Sequence, residues 1–239
     1  MKLWFYYIIR KDYNNLWSYY GSKLKIIDKY PKPLYNTIIE PFAGTAQYSL
    51  KYFDKNIILI DKYDVIIKLW KWLQNCSKND ILSLPYIELG KSVDEYSWDC
   101  EEAKWLIGFI IAAGVASPRK KPSKWRTTLR PHAQEYKKNE IANNLIKIKH
   151  WKFIQGEYNC INNLQATWFI DPPYQHGGNQ YKFGSKLIDY NELEKWCKKR
   201  QGQTIVCENT NSNWIESTPI IETNGVKYKT METIYYNET

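Results

Sequence analysis

The stretch TIIEPFAGTAQYSLKYFDKNIILID (Thr37 to Asp61) sets a β-prone run, TIIE, before a glycine turn and a helical segment. A second β-prone run, NIILI, follows and ends in an acid. Both apolar runs are of strand length and the segment through Phe53 reads as a helix, so the stretch has the βαβ rhythm of an α/β sheet. Gly44 lies in the turn, where the missing Cβ allows close backbone approach and the amides that open the helix face a ligand. Seventeen residues further on, Asp61 stands at the carboxyl end of the second strand, where an acid can accept hydrogen bonds from ribose hydroxyls. Alone, the glycine is an ordinary turn and the acid a helix N-cap. In this order they predict a nucleoside cofactor pocket.

The rhythm extends outward. Val65 to Leu73 reads as a helix with Ile66, Ile67, Trp70 and Leu73 on one face. Trp168 to Ile170 is a third β signal and runs straight into Asp171-Pro172-Pro173-Tyr174. Asp189 and Glu192 have capping-box spacing ahead of a helix that turns Leu193, Trp196 and Cys197 inward. Thr204 to Cys207 returns to strand, and Asn224-Gly225 between β-prone runs predicts a hairpin. Between the second and third strands the rhythm breaks. That break predicts a mainly helical subdomain, residues 76–150, inserted into a core domain formed by 1–75 and 151–239. The apolar run Trp105 to Ala116 is expected to be the insertion's own core.

The chain has 239 residues, 44% of them apolar and 16% aromatic, enough to bury a sizeable core and too much for disorder. The longest apolar run has twelve residues, whereas a bilayer span needs about 20. LWFYYII (Leu3 to Ile9) is shorter still and lacks a small-residue cleavage site, so neither anchor nor signal peptide is expected and the chain is placed in the cytoplasm. Five widely spaced cysteines and three scattered histidines predict free thiols and no metal site. The net charge of +9 permits a polyanionic partner. It is concentrated in SPRKKPSKWRTTLR (Ser117 to Arg130), which carries six basic residues and no acid and reads as an extended loop because of its prolines.

Chemistry is carried most sharply by Asp171-Pro172-Pro173-Tyr174. Two prolines fix the backbone and lack N–H donors, so a carboxylate and a carbonyl are left on one rigid corner to accept from an exocyclic amino group. Such acceptance turns the amine lone pair toward an electrophile, and Tyr174 offers a flat face on which an extruded base can stack.

This DPPY tetrad, with PFAGTAQ (Pro41 to Gln47) and YYGSK (Tyr19 to Lys23), resembles the Dam-like, class α group of DNA N6-adenine methyltransferases. The resemblance spans nearly the whole chain and keeps the family's order of motifs. It implies a Rossmann-like methyltransferase sheet ending in an antiparallel strand pair, with the insertion as target-recognition subdomain. It also implies S-adenosylmethionine as donor without a metal, and adenine in double-stranded DNA as acceptor. The catalytic set is then Asp171, Pro172, Pro173 and Tyr174, with Asp171 also near the cofactor's amine. Tyr19, Lys23, Glu40, Phe42 and Gly44 line the cofactor and Asp61 takes its ribose. Two positions depart from the family pattern: Ala46 replaces the second glycine of FxGxG, and Ser22 replaces a glycine before Lys23. Alanine fits the first if its φ is negative.

DNA contact is expected from Arg119, Lys120, Lys121, Lys124, Arg126 and Arg130 on phosphates, with Trp125 packing or wedging beside them. The glycine-rich segment Gln175 to Lys186 reads as a flap over the flipped base, with Tyr181 and Lys182 reaching DNA. A monomer or weak dimer is expected, in a bacterial or phage-infected cell, solitary or within a restriction-modification pair. N4-cytosine or RNA methyl transfer with the same cofactor, and a non-catalytic DNA-binding protein on this fold, are the alternatives.

Overall fold

The computed structural model describes residues 16–124, 132–224 and 229–239. Chain order runs β1 (Thr37–Glu40), α1 (Gln47–Lys51), β2 (Asn56–Asp61) and α2 (Asp64–Asn75). Helices α3 (Lys78–Leu82), α4 (Glu101–Ile110) and α5 (Ala133–Asn144) come next. They are followed by β3 (Lys152–Gln155), β4 (Ala166–Ile170), α6 (Tyr190–Lys198), β5 (Gly202–Asn209), β6 (Thr218–Asn224) and β7 (Lys229–Glu238). Seven strands form one sheet in the order β3-β2-β1-β4-β5-β7-β6. The first five pair in parallel, and β7 runs antiparallel between β5 and β6. This mixed, mostly parallel α/β sheet is Rossmann-like. The strand order reverses between β1 and β4, which opens a crevice at their carboxyl ends.

Alternate strand residues feed opposite faces. Ile38, Leu59, Phe169 and Ile205 join one buried cluster, whereas Ile39, Ile60, Trp168, Ile170 and Val206 join the other. The apolar stripe of α2, including Ile66, Trp70 and Leu73, packs on the first face, and α6 sends Leu193 and Cys197 to the second. Both faces are therefore covered, which is why β4 and β5 are buried along their whole length.

The helical segment that carries α3, α4 and α5 lies between α2 and β3. Its apolar residues do not form a core of their own: Ile81, Leu106, Phe109 and Ile141 share one cluster with Trp17 and Trp70. Phe109 lies 6.3 Å from Trp17 and 5.8 Å from Tyr19, ring to ring. Leu106 to Ile111 of the apolar run thus form a seam between these helices and the sheet. The run's helix ends at Ile110, and beyond it the Gly114 amide donates to Ser18 Oγ at 2.8 Å.

Strand β3 escaped the sequence reading because only Phe153 and Ile154 in its four residues are apolar. Asp189 caps α6 through the amides of Asn191 and Glu192, but Glu192 turns to Lys195 instead of closing a capping box. β6 and β7 pair antiparallel, as the expected hairpin requires; Gly225 lies outside the described residues. Leu3 to Ile9 also lies outside them. All five cysteines are free, and among the described residues no helix is long and apolar enough to cross a membrane.

Candidate active site

A cavity of about 270 Å³ occupies the crevice, and Tyr19, Lys23, Glu40, Phe42, Gly44, Asp61 and Asp171 all line it. One ordered water needs only about 10–15 Å³, so the space suits an organic ligand. Every cofactor residue expected from the sequence therefore meets in one place, although they come from four segments. Pro173 lines the cavity too, while Pro172 and Tyr174 stand outside the lining.

Asp171 directly follows β4. Lys23 Nζ lies 2.7 Å from each of its carboxylate oxygens and 3.1 Å from the Gly21 carbonyl. Burial pushes the Asp171 carboxyl up, to about 6, with Lys23 opposing the rise and Glu232 adding to it. Burial alone would lower the Lys23 pKa, but the charges of Asp171 and Glu232 outweigh it and hold Lys23 protonated. The pair is thus an ion pair at neutral pH. The Pro173 carbonyl accepts the Tyr190 hydroxyl at 2.6 Å, whereas the Pro172 carbonyl takes no hydrogen bond among the described residues.

The glycine turn is held by Asp61 and Trp70. Asp61 Oδ2 accepts the Gly44 amide at 3.0 Å, Asp61 Oδ1 accepts the Tyr63 amide at 2.8 Å, and Trp70 Nε1 donates to the Gly44 carbonyl at 3.0 Å. Burial raises the Asp61 carboxyl to about 6 against the pull of those two amides. A carboxylate has about four lone-pair sites, so two acceptances leave room for a ligand hydroxyl. Glu40 Oε1 accepts the Ser49 amide at 2.7 Å, in the first turn of α1, where the N-cap Ala46 offers no side-chain acceptor. Burial carries the Glu40 carboxyl up to about 8 despite that bond.

Ala46 corrects an expectation. Its φ is +46°, and it is the one non-glycine residue with positive φ among the described residues. The turn requires it: the Ala46 amide donates back to the Ala43 carbonyl at 2.7 Å while its own carbonyl accepts Leu50 at 2.8 Å. A left-handed residue joins those bonds, and alanine takes on the strain that glycine would not.

Tyr174 is fixed from two sides. Lys23 Nζ stands 4.8 Å from its ring centroid, and its hydroxyl donates to Glu232 Oε1. The same oxygen accepts the Tyr30 hydroxyl at 2.6 Å.

Tyr181 points into the cavity. It lines the cavity, its hydroxyl donates to the Tyr20 carbonyl at 3.2 Å, and it sits where a Cβ on Gly21 would come within 2.0 Å of it. Tyr20 in turn donates to the Gly177 carbonyl at 3.4 Å, which latches the segment Gln175 to Lys186 onto residues 19–21. Lys182 is exposed at the cavity rim. Several lining residues had no motif to announce them. Tyr158, after β3, stacks on Phe42 at 5.6 Å, Phe183 lies under Lys62 Nζ at 5.1 Å, and Glu157 pairs with Lys62 at 2.7 Å. Ser22 Oγ is buried without a partner beside them. Recognising the short β3 would have placed Tyr158 at a strand's carboxyl end.

The basic loop lies on α4. The Arg119 amide donates to the Gly108 carbonyl at 3.0 Å, and the Lys120 carbonyl accepts Val93 at 2.8 Å. A Cβ on Gly108 would meet the Pro118 side chain at 2.7 Å, so the loop needs that glycine. Arg119, Lys120, Lys121 and Lys124 are exposed, and Lys120 pairs with Asp94 at 2.8 Å. Trp125, Arg126 and Arg130 lie outside the described residues. Among the described residues no three His, Cys, Asp or Glu side chains gather as metal ligands. Comparison of the chain with protein-family models and with curated proteins finds no match.

Proposed function

We propose that this chain is a DNA N6-adenine methyltransferase of the Dam-like, class α type, using S-adenosylmethionine. The observation that carries the reading is the meeting of Gly44, Asp61, Lys23, Asp171 and Pro173 in one crevice where the strand order reverses. The final antiparallel pair of the sheet agrees with what the resemblance implies.

The crevice fits the donor on its own chemistry. Gly44 has φ +45°, and its missing Cβ leaves room beside Tyr19, whose ring atoms lie 3.3 and 3.4 Å from where it would be. Asp61 keeps acceptor capacity for hydroxyls, and Ser22 Oγ offers an unpaired polar atom. Phe42, Tyr158 and Phe183 supply aromatic surface. When bound, the donor supplies a methyl group on a positively charged sulfonium.

The chain's residues then orient the acceptor. Asp171 and the free Pro172 carbonyl accept the two N–H bonds of an adenine amino group, which aims its lone pair along the line of displacement. Lys23 holds the Asp171 carboxylate in one orientation and keeps it ionised. Tyr174 gives the extruded base a stacking surface that offsets part of the few kcal/mol needed to unstack it. Exposed Arg119, Lys120, Lys121 and Lys124 contact phosphates, and the folding of the insertion into the same core keeps that loop in register with the crevice.

Transfer of labelled methyl from S-adenosylmethionine to unmethylated duplex DNA, beside RNA and single-stranded DNA, tests the reading. N6-methyladenine in the duplex, absent from Asp171→Ala, is the expected result. Cofactor binding without transfer to any of the three assigns the site another acceptor.

A further inference from the structure

Glu232 lies in β7, the strand between β5 and β6, opposite Asn209 in β5 and Ile221 in β6. It is 5% exposed, and no basic side chain lies within ion-pair distance of it among the described residues. A carboxyl group so placed is a poor stabiliser, because an apolar side chain fills such a site without desolvation cost. Its single accepting oxygen instead gathers two phenols. Tyr30 Oη donates to it at 2.6 Å, and Tyr174 Oη donates to the same atom.

The two phenols differ in burial. Tyr30 is buried, and its ring stands edge-on to Phe169 at 5.1 Å. Phe169 is itself stacked on Tyr48 at 4.3 Å. Tyr174 is only half-buried and hangs from the loop after β4. Burial holds both phenols well above their ordinary pKa, so both remain donors to Glu232. Glu232 therefore ties the half-buried ring after β4 to one locked in the core.

We propose that Glu232 is a positioning residue, which fixes the Tyr174 ring in the plane against which the extruded base stacks. This rests on the methyltransferase reading of the crevice. A stacking platform that rocks about its side-chain torsions misplaces the amine relative to Asp171, and misplacement of about 1 Å can cost about 100-fold in rate.

The test is a double-mutant cycle on Glu232 and Tyr174, with Glu232→Gln as conservative rescue. Single-turnover transfer to duplex DNA, calorimetric cofactor affinity, and the 13Cζ resonance of labelled Tyr174 are measured on each variant. Glu232→Ala is expected to slow transfer about 10- to 100-fold while changing cofactor affinity less than about 3-fold. Tyr174→Phe, which deletes the tethered hydroxyl, should lose a similar factor, and the double variant should lose no more than the worse single one. Glu232→Gln should recover most of the rate and move the 13Cζ resonance, since a weaker acceptor remains. If Glu232→Ala does not fold, the Gln variant and Tyr174→Phe still carry the comparison. Additive losses, an unmoved resonance in Glu232→Gln, or a rate loss that tracks cofactor affinity would overturn the proposal. An active wild-type chain with those results overturns the positioning role alone. A wild-type chain that transfers no methyl group overturns the reading of the crevice, and the positioning role with it.

Discussion

The crevice and the basic loop both concentrate charge, and they hold it in opposite ways. In the crevice the buried ionisable groups are engaged by the fold itself: Lys23 with Asp171, Glu40 with Ser49, Asp61 with Gly44 and Tyr63. On the loop the backbone is held instead. Arg119 and Ser123 donate to the carbonyls of Gly108 and Ile111, while the basic side chains face solvent. The Lys120–Asp94 pair there has the lysine side chain 76% exposed, and such pairs contribute little. Orienting an amine needs groups fixed before the substrate arrives, because their electrostatic effect depends on preorganisation. Neutralising phosphates needs only mobile charges at the right distance, each acting nearly independently. Substitutions in the crevice should therefore change the rate of the bound complex, and substitutions on the loop should change how much complex forms.

Asp171→Ala is the strongest way to break this contrast. Removing the amine acceptor and the partner of Lys23 should lower single-turnover transfer by about 1,000-fold or more, with duplex affinity within about 3-fold of wild type. Loss of DNA binding with normal turnover per complex would show that the crevice and the loop are not separate in function. The reverse case is Arg119→Ala/Lys120→Ala/Lys121→Ala. Affinity should fall at least about 10-fold, and the slope of log K against log salt should become shallower by about 3. Turnover per complex should stay unchanged, and an unaltered salt slope would remove the loop from the interface.

A third test sharpens the crevice side through pH. The Asp171 carboxyl is raised to about 6, first by burial, and under the proposed mechanism it holds an amine N–H most strongly when ionised. Single-turnover rate should fall about 10-fold per pH unit below about 6 and level off above it. Stability should move the other way. A carboxyl whose pKa is raised on folding holds its proton more tightly in the native chain. Its contribution is thus complete below the unfolded value and declines as pH rises to the folded one. For Glu40 that window runs from 4.5 to about 8. Glu40→Gln, which keeps an oxygen for the Ser49 amide, should flatten the fall in denaturation midpoint across that window. An equally steep fall in the variant would free Glu40 of responsibility for it.

Legibility from sequence followed the same division. Short-range signals were readable: the β1–turn–α1–β2 order, the acid ending β2, the proline-fixed corner after β4, and the basic run between prolines. Each depends on neighbouring residues whose spacing is visible in the chain. Long-range partners were not readable. Nothing in YYGSK shows that Lys23 will meet Asp171, 148 positions later, and only the family resemblance placed the two together. Glu232 carried no signal, because a single acid in a β-prone run looks like any solvent-facing strand residue until β7 enters between two neighbours. The inward setting of Tyr181 was not readable for a related reason. A tyrosine in a glycine-rich segment reads as exposed, yet Gly21 leaves the space that draws its ring inward. The apolar run Trp105 to Ala116 announced the burial of Leu106 to Ala112 but not its partner, since hydrophobicity names no counterpart.

The smallest predicted effect lies within the glycine turn, where Gly44 and Ala46 share nearly the same φ, +45° and +46°. A left-handed alanine costs about 1–2 kcal/mol relative to glycine. Against that, the methyl of Ala46 is buried, at 2% exposure for the residue, and a buried carbon of that size contributes about 0.8 kcal/mol. Alanine also restricts the unfolded chain, worth about 0.4–1 kcal/mol. The terms nearly cancel, so Ala46→Gly should shift the melting temperature by no more than about 3 °C. Gly44→Ala meets the same strain without the same return, because its Cβ would press on Tyr19 at 3.3 Å instead of entering a core. It should destabilise by about 1–2 kcal/mol. It should also weaken S-adenosylmethionine binding, measured by calorimetry, since that methyl would stand at the cavity wall. A large stabilisation in Ala46→Gly would mean that the alanine methyl contributes nothing to packing, and that the turn carries its full strain unrelieved.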